Sequence, residues 1–379
     1  MIYKKILVVF GTRPEALKMI PLLKKLSEEK SIFNIKVCVT AQHRGMLDQV
    51  LDIFDVLPDY DLDLMSKNQT LSSITNKILT GIDSVLSDFK PDIVLVHGDT
   101  TTTFAVSLAC FYNKIQIGHV EAGLRTFNLN SPWPEEFNRQ ITSKIANIHF
   151  APTNESRNNL IKERINSKNI IVTGNTIIDT LYLALKKIKN EKLDLKFKKE
   201  FPFGFKKKII LITAHRRENF GKGFINICNS LEQLSKKYNN INFIYPVHLN
   251  PNVKKIVEQK LSNIKNVYLI KPLNYLQFIF LMSESFIIMT DSGGVQEEAP
   301  SLNIPVLVMR DTTERPEAVS FGKVKLVGTN VNKIICEVTN LIEDINYYKS
   351  FIKNINPYGD GTASKKIVKF LKLKKHVSK

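Results

Sequence analysis

Short apolar runs of strand length recur from one end of this chain to the other. Each runs straight into a small or helix-capping residue and then an amphipathic stretch, and no other feature restricts the fold so tightly. Residues 6–10 end at Gly11-Thr12-Arg13-Pro14. Pro14 suits the first position of a helix that carries Leu17, Ile20, Leu23 and Leu26 on one side. The same punctuation follows residues 37–40, 93–97, 115–120, 149–151 and 170–173, and residues 71–86 read as a helix. Runs buried on both faces fit parallel strands, and strand–helix alternation at this spacing predicts a doubly wound sheet. After a lysine-rich connector the alternation restarts at 209–214, 243–247, 267–270, 286–290, 306–308 and 325–327. The expected fold class is α/β, with two Rossmann-like doubly wound domains, residues 1–175 and 176–362, facing a cleft lined by C-terminal strand ends.

A chain of 379 residues has ample length for two cores. Its net charge of +18 raises the question of a nucleic-acid partner, and the location of the charge answers it. Residues 186–208 hold ten lysines against three acids, residues 365–379 hold seven lysines and no acid, and together they supply 14 of the 18 excess charges. Neither segment interleaves aromatic residues with arginine as a base-stacking surface does, so a solvated connector and tail are expected and nucleic acid is not. No apolar run is long enough to span a membrane, and the N-terminus enters a strand without a signal-like apolar region. Cys38, Cys110, Cys228 and Cys336 form no C-x-x-C pair and read as reduced core thiols, which implies a cytoplasmic setting. No set of His, Cys and acids has metal-ligand spacing, so no metal is expected.

Three constellations carry chemistry. Residues 286–302 read F-I-I-M-T-D-S-G-G-V-Q-E-E-A-P-S-L, a buried strand feeding a helix that Asp291 or Ser292 can cap. Gly293 and Gly294 let backbone approach a ligand, and free N–H groups at a helix start suit an anion, most often phosphate. Glu297 and Glu298 in the first turns could take ribose hydroxyls; a well-capped helix with dipole-complementing acids is the alternative. The stretch is neither G-x-G-x-x-G nor a P-loop. Asp99 and Glu121 each follow a strand, and Glu135 is expected on the loop just beyond, in W-P-E-E. Several acids around one cleft can be driven to different pKa values, as acid–base chemistry requires. Asp99 also fits a helix cap, and Glu135 and Glu136 fit a helix-start pair after Pro134, Glu136 above all. Glu121 beside Val120 needs a partner, for which Arg125 or a neighbouring lysine is available. His215-Arg216-Arg217-Glu218 follows the first strand of the second half, where a histidine and two arginines could hold a diphosphate. Alternatively, two of them pair with Glu218 and solvent. His43 and His248 also follow strands, whereas His97, inside one, reads as a hydrogen-bonded core histidine.

Taken together the motifs F-G-T-R-P-E-A-L-K-M, V-H-G-D-T-T-T-T, G-H-V-E-A-G-L-R-T, P-W-P-E-E-F-N-R, T-A-H-R-R-E-N, P-V-H-L-N-P and T-D-S-G-G-V-Q-E-E-A-P resemble the bacterial non-hydrolysing UDP-N-acetylglucosamine 2-epimerases along essentially the whole chain. The resemblance implies a glycosyltransferase-B-like fold whose last helix, here 363–379, joins the first domain. It implies reversible conversion of UDP-GlcNAc to UDP-ManNAc without a cofactor, by elimination of UDP to a bound 2-acetamidoglucal and re-addition. It assigns proton transfer to Asp99, Glu121 and Glu135 and assistance at the diphosphate to His215. Arg13 and Lys18 become substrate contacts, Ser292, Gly293 and Gly294 the diphosphate turn, Glu298 the ribose contact, Arg315 a further UDP contact and Phe278 the uracil position. A homodimer and a role in ManNAc supply for surface polysaccharides are implied as well. Family members are often activated by UDP-GlcNAc at a second site. Gln42, His43 and His248 suit it, but Gly45 and Asn68 stand where the pattern has a polar residue and an arginine, so weak activation is expected. The alternatives are a hydrolysing 2-epimerase that releases ManNAc, a nucleotide-sugar glycosyltransferase of the same fold, and a basic binding protein.

Overall fold

A computed structural model describes residues 4–41, 44–66, 69–313, 315–353 and 356–373. The chain forms two compact units, Met1–Thr180 with Tyr358–Lys379, and Leu181–Pro357. In the first, strands β1 (Lys5–Phe10), β2 (Asn34–Val39), β3 (Tyr60–Asp61), β4 (Ile93–His97), β5 (Gln116–Val120), β6 (Ile148–Ala151) and β7 (Ile170–Val172) make one sheet in the order β3-β2-β1-β4-β5-β6-β7. In the second, β8 (Lys208–Thr213), β9 (Ile241–Pro246), β10 (Val267–Ile270), β11 (Ile287–Thr290), β12 (Val306–Val308) and β13 (Val324–Leu326) take the order β10-β9-β8-β11-β12-β13. Every pairing is parallel. The expected doubly wound α/β class is therefore what forms.

The central strands are apolar because helices cover both faces: β4 is buried at every position, as is β11. One face of the first sheet packs Leu7, Val9, Val94 and Val96 against Ile74, Ile78 and Ile82 of the helix Leu71–Phe89. In the second unit Ile210, Ile212, Phe243 and Met289 pack with Phe224, Ile227 and Leu231 of the helix Lys222–Lys237. Each sheet reverses its winding once, at β1/β4 and at β8/β11. Ligands of such sheets bind beyond the strand ends at that switch point.

Three expectations need correction. Strand β3 was not foreseen, because two residues carry no readable alternation. The lysine-rich segment is not an open connector: it holds the end of the helix Thr176–Asn190 and the helix Leu193–Glu200. Phe197 of the latter is buried and its lysines are outward. Of the four free cysteines, Cys38, Cys110 and Cys228 are core thiols but Cys336 is exposed, on the outer face of the helix Val331–Glu343. The helix Ala363–Leu373 belongs to the first unit, where the buried Asp179 carboxylate accepts the N–H groups of Ala363 (3.2 Å) and Ser364 (2.8 Å) and Lys372 pairs with Glu29. Among the described residues no helix is long and apolar enough to cross a membrane, and no group of three or more His, Cys, Asp or Glu could hold a metal ion.

Candidate active site

In the first unit the switch point is built around Glu15. Its Oε2 accepts the backbone N–H groups of Gly11 (3.0 Å) and Thr12 (2.8 Å), while Oε1 accepts the hydroxyl of Thr100 (2.7 Å). The carboxylate therefore ties the turn after β1 to the turn after β4. Burial pushes its pKa up against those hydrogen bonds. Packing at the turn leaves no room for a side chain at Gly11, where a Cβ would lie 2.1 Å from the Thr40 hydroxyl and 2.4 Å from that of Thr102. Sequence reasoning missed Glu15, although Thr12-x-x-Glu15 is capping-box spacing and was the available signal.

Glu121 follows β5 with φ of 62°, a left-handed conformation that a non-glycine residue holds only when its surroundings impose it. Its side chain is 8 % exposed. The Lys18 ammonium donates to Oε2, Asn175 donates to the same oxygen at 2.8 Å, and His97 Nε2 stands 3.7 Å away. Burial alone would raise this carboxyl, but Lys18 and His97 outweigh it and hold the group well below the usual carboxylate range. The partner is thus Lys18, 103 positions away in sequence, and not Arg125. The Arg125 guanidinium is committed to Glu163 through Nε (2.6 Å) and Nη2 (2.8 Å). His97 is buried as expected, but its Nε2 makes no hydrogen bond among the described residues and faces Glu121 instead. Its place as the last residue of β4 was the only sequence signal.

Asp99, two residues after β4, is not the cap of the next helix. Thr100 is, accepting the N–H of Thr103 at 3.1 Å. The Asp99 carboxylate instead receives Arg139 Nη2, and Asn138 donates to its backbone oxygen at 2.9 Å. Glu135 is the first residue of the helix Glu135–Ile145 after Pro134, which is the helix-start alternative and not the expected loop position. It is half-buried, and its carboxylate has no ion pair among the described residues. Glu136 beside it is buried and structural, accepting from Thr126 and Phe127 N–H (both 3.0 Å), Arg139 (3.1 Å) and Gln140 (2.8 Å). Burial raises the Glu136 carboxyl, but these donors prevail and lower it. Arg13 is half-buried at the start of its helix with no ion pair among the described residues.

In the second unit the switch point is built around Asp291. The expectation that Asp291 or Ser292 caps the following helix with its side chain fails. Ser292 occupies the cap position without a side-chain bond, and the buried Asp291 Oδ2 accepts the N–H groups of His215 and Arg216, both at 2.8 Å. Asp291 Oδ1 lies 3.3 Å from His215 Nδ1, and the His215 ring stacks on His248 with centroids 5.5 Å apart. Burial holds the His215 imidazole below the usual histidine range; Asp291 pulls it up, and Arg216 and His248 reinforce burial.

A Cβ on Gly293 would lie 3.7 Å from the Arg315 guanidinium and 3.8 Å from Arg216 Nη2, so two cations flank the glycine turn. Arg216 Nε is buried without a hydrogen-bond partner among the described residues, whereas Arg315 Nε donates to Glu297 at 2.6 Å. Glu218 takes neither Arg216 nor Arg217; it pairs with Arg310 through Nε at 2.5 Å. Beyond Gly294, the Glu298 carboxylate is buried and accepts the Tyr275 hydroxyl at 2.8 Å. Phe278 is half-buried on the same helix as Tyr275, Tyr275–Ser283. Gln42, His43 and Asn68 lie outside the described residues. Gly45 is in the helix Arg44–Ile53, where a Cβ would meet nothing within 4 Å among the described residues outside its own helix turn.

The first unit therefore presents an ionised, buried carboxylate, Glu121, held by Lys18 and Asn175. The second presents a glycine turn ringed by arginines and a histidine, which suits a polyanion. A family model described as UDP-N-acetylglucosamine 2-epimerase matches residues 24–372. The UDP-N-acetylglucosamine 2-epimerase of Campylobacter jejuni is 58% identical over 374 residues, 97% of each chain, and that of Escherichia coli strain K12 is 54% identical over 370 residues, covering 97% of this chain and 98% of the other. The crystal structure of UDP-GlcNAc 2-epimerase from Neisseria meningitidis bound to UDP-GlcNAc superimposes with a TM-score of 0.89 at 56% identity, over 97% of this chain and 99% of that one. The Methanocaldococcus jannaschii UDP-GlcNAc 2-epimerase in complex with UDP-GlcNAc and UDP gives 0.80 at 35% identity over the same shares.

Proposed function

The chain belongs to the UDP-N-acetylglucosamine 2-epimerase family, and on that premise we propose that it interconverts UDP-GlcNAc and UDP-ManNAc without hydrolysing either. A carboxylate removes the proton at C2 as the C1–O bond breaks. The freed C–H electrons become the C1–C2 double bond of 2-acetamidoglucal, and UDP leaves with the C–O pair. In the return step a UDP oxygen attacks C1, and C2 takes a proton on the opposite face.

The observation that carries this reading is Glu121, buried yet held ionised by Lys18, with Asn175 and His97 at the same oxygen. A weakly acidic C–H calls for a base that is ionised and shielded from water. The Lys18 pair keeps Glu121 ionised but weakens it as a base, so the reaction calls for that pair to loosen as substrate draws on Lys18. We assign the proton transfers to Asp99, Glu121 and Glu135. The leaving diphosphate falls to His215, Ser292, Gly293, Gly294 and Arg315, with Glu298 toward the ribose, Phe278 toward the uracil, and Arg13 and Lys18 as further substrate contacts. The product feeds ManNAc into surface polysaccharides, and the enzyme works in the cytoplasm as a homodimer, a state that sedimentation reads directly.

Incubation with UDP-GlcNAc alone in deuterium oxide tests the reaction. UDP-ManNAc carrying deuterium at C2 is the expected product. Free ManNAc with UDP would make the chain a hydrolysing enzyme; no reaction until a sugar acceptor is supplied would make it a glycosyltransferase. Product without deuterium would exclude proton exchange with solvent.

A further inference from the structure

The Asp291 carboxylate has two differently occupied oxygens. Oδ2 gathers the backbone N–H groups of His215 and Arg216 at 2.8 Å and the Asn219 amide at 3.3 Å, so it is saturated. Oδ1 is buried and makes no hydrogen bond of good geometry among the described residues. Its ion-pair neighbour is His215 Nδ1 at 3.3 Å. A buried carboxylate oxygen left without a donor is costly, and the Nδ1 position is where a donor stands. We propose that Asp291 is a positioning residue for His215: it fixes the tautomer with the proton on Nδ1, turns Nε2 toward the diphosphate, and lets the ring take up a proton there as the nucleotide binds.

The anchoring is rigid. Asp291 directly follows β11, its own N–H donates to Thr213 O at 3.1 Å, and β11 is paired with β8, the strand that delivers His215. Asn219, whose amide also reaches Met309 O at 3.1 Å, holds the carboxylate from below. The charged and titratable groups facing the ring are Asp291 after β11, Arg216 on the same loop and His248 after β9. Without an anion, burial and the nearby Arg216 keep the imidazole neutral, so Nε2 presents a lone pair. A diphosphate offers oxygens to the same nitrogen, which must then become a donor. Its negative charge, with Asp291 behind, favours the imidazolium. No covalent bond changes: one proton moves from solvent to Nε2 on binding and returns on release.

The diphosphate half of this inference rests on the function proposed above; the tautomer half does not, and the experiments separate them. Asp291→Asn keeps an oxygen for the His215 and Arg216 N–H groups but offers the ring an NH₂ donor, which inverts the tautomer. Long-range ¹H–¹⁵N spectra of the free protein should show His215 as the Nδ1–H form in the wild type and the Nε2–H form in the folded Asp291→Asn variant. A wild-type His215 in the Nε2–H form would overturn the positioning role, whatever the protein catalyses. Calorimetry with UDP in buffers of different ionisation enthalpy should show proton uptake near neutral pH in the wild type and none in Asp291→Asn. Binding without uptake in the wild type would overturn the protonation step. Finally, His215→Asn/Asp291→Asn should be no slower than His215→Asn, whereas Asp291→Asn alone should lose more than about a hundredfold in kcat, as a histidine in the wrong tautomer does in other enzymes. Additive losses would mean that Asp291 only stabilises the loop.

Discussion

Replacing Lys18 with methionine keeps the length and apolar stem of the side chain and removes the ammonium from Glu121. Both side chains are almost shut off from solvent, 11 % and 8 % exposed, so screening by water and salt is slight. Removing one member of a buried pair typically costs about 3–5 kcal/mol, because the other charge is left without compensation. Asn175 still donates at 2.8 Å, so the loss should fall near the low end, about 3 kcal/mol. The double variant Lys18→Met/Glu121→Gln removes both charges and should recover roughly 2 kcal/mol of that, which is the coupling between the two sites. Guanidinium unfolding followed through Trp133, the single tryptophan and a member of the first unit, measures all three. The pH dependence adds a check. Because the folded carboxyl titrates below its ordinary value of 4.5, its stabilisation is complete above that range and is lost as pH falls through the lower folded value. The gap between wild type and Lys18→Met should therefore narrow below pH 4.5. A single variant that loses less than about 1 kcal/mol, or a double variant as unstable as the single, would refute the picture of a desolvated pair.

Asp99→Asn should still fold, since Thr100 provides the helix cap and Glu136 keeps the Arg139 guanidinium paired, yet lose about 10²–10⁴ in turnover if Asp99 moves a proton; unchanged turnover removes it from the reaction. Gly293→Ala puts a methyl in ordinary contact with the Arg315 and Arg216 guanidiniums. Stability should change by less than about 1 kcal/mol while UDP affinity, read by calorimetry, falls about tenfold or more. His119 is fully buried and held by burial at about 3, and its ring nitrogen lies 2.7 Å from Gly98 O. The unfolded chain binds this proton first, so stability is full above the ordinary histidine value and declines as pH falls from 6.5 toward 3, by up to about 5 kcal/mol. Between those limits His119→Asn should show a flatter loss of stability with acid than the wild type; parallel curves would assign the acid sensitivity elsewhere.

Strand–helix alternation, the short apolar runs and the small residues after them are local properties, and they were enough to predict two parallel, doubly wound sheets. They also placed Asp99, Glu121, His215 and Ser292–Gly294 within a few residues of strand ends, because a sheet that binds ligands at its C-terminal edge must carry polar residues there. Partnership is another matter. Lys18 meets Glu121 across 103 positions, Asp291 meets His215 and Arg216 across 76 and 75, and Arg139 reaches back 40 to Asp99. Spacing along the chain says nothing about such pairs, since the winding of the sheet decides which strand ends become neighbours. Arg125, near Glu121 in sequence, is turned to Glu163, and Asp291, beside a helix start, bonds the loop after β8. Charge was visible in the sequence from the outset. Which carboxylate is buried, which cation compensates it and which nitrogen of His215 faces outward are settled only when burial makes an unpaired charge too costly to leave alone.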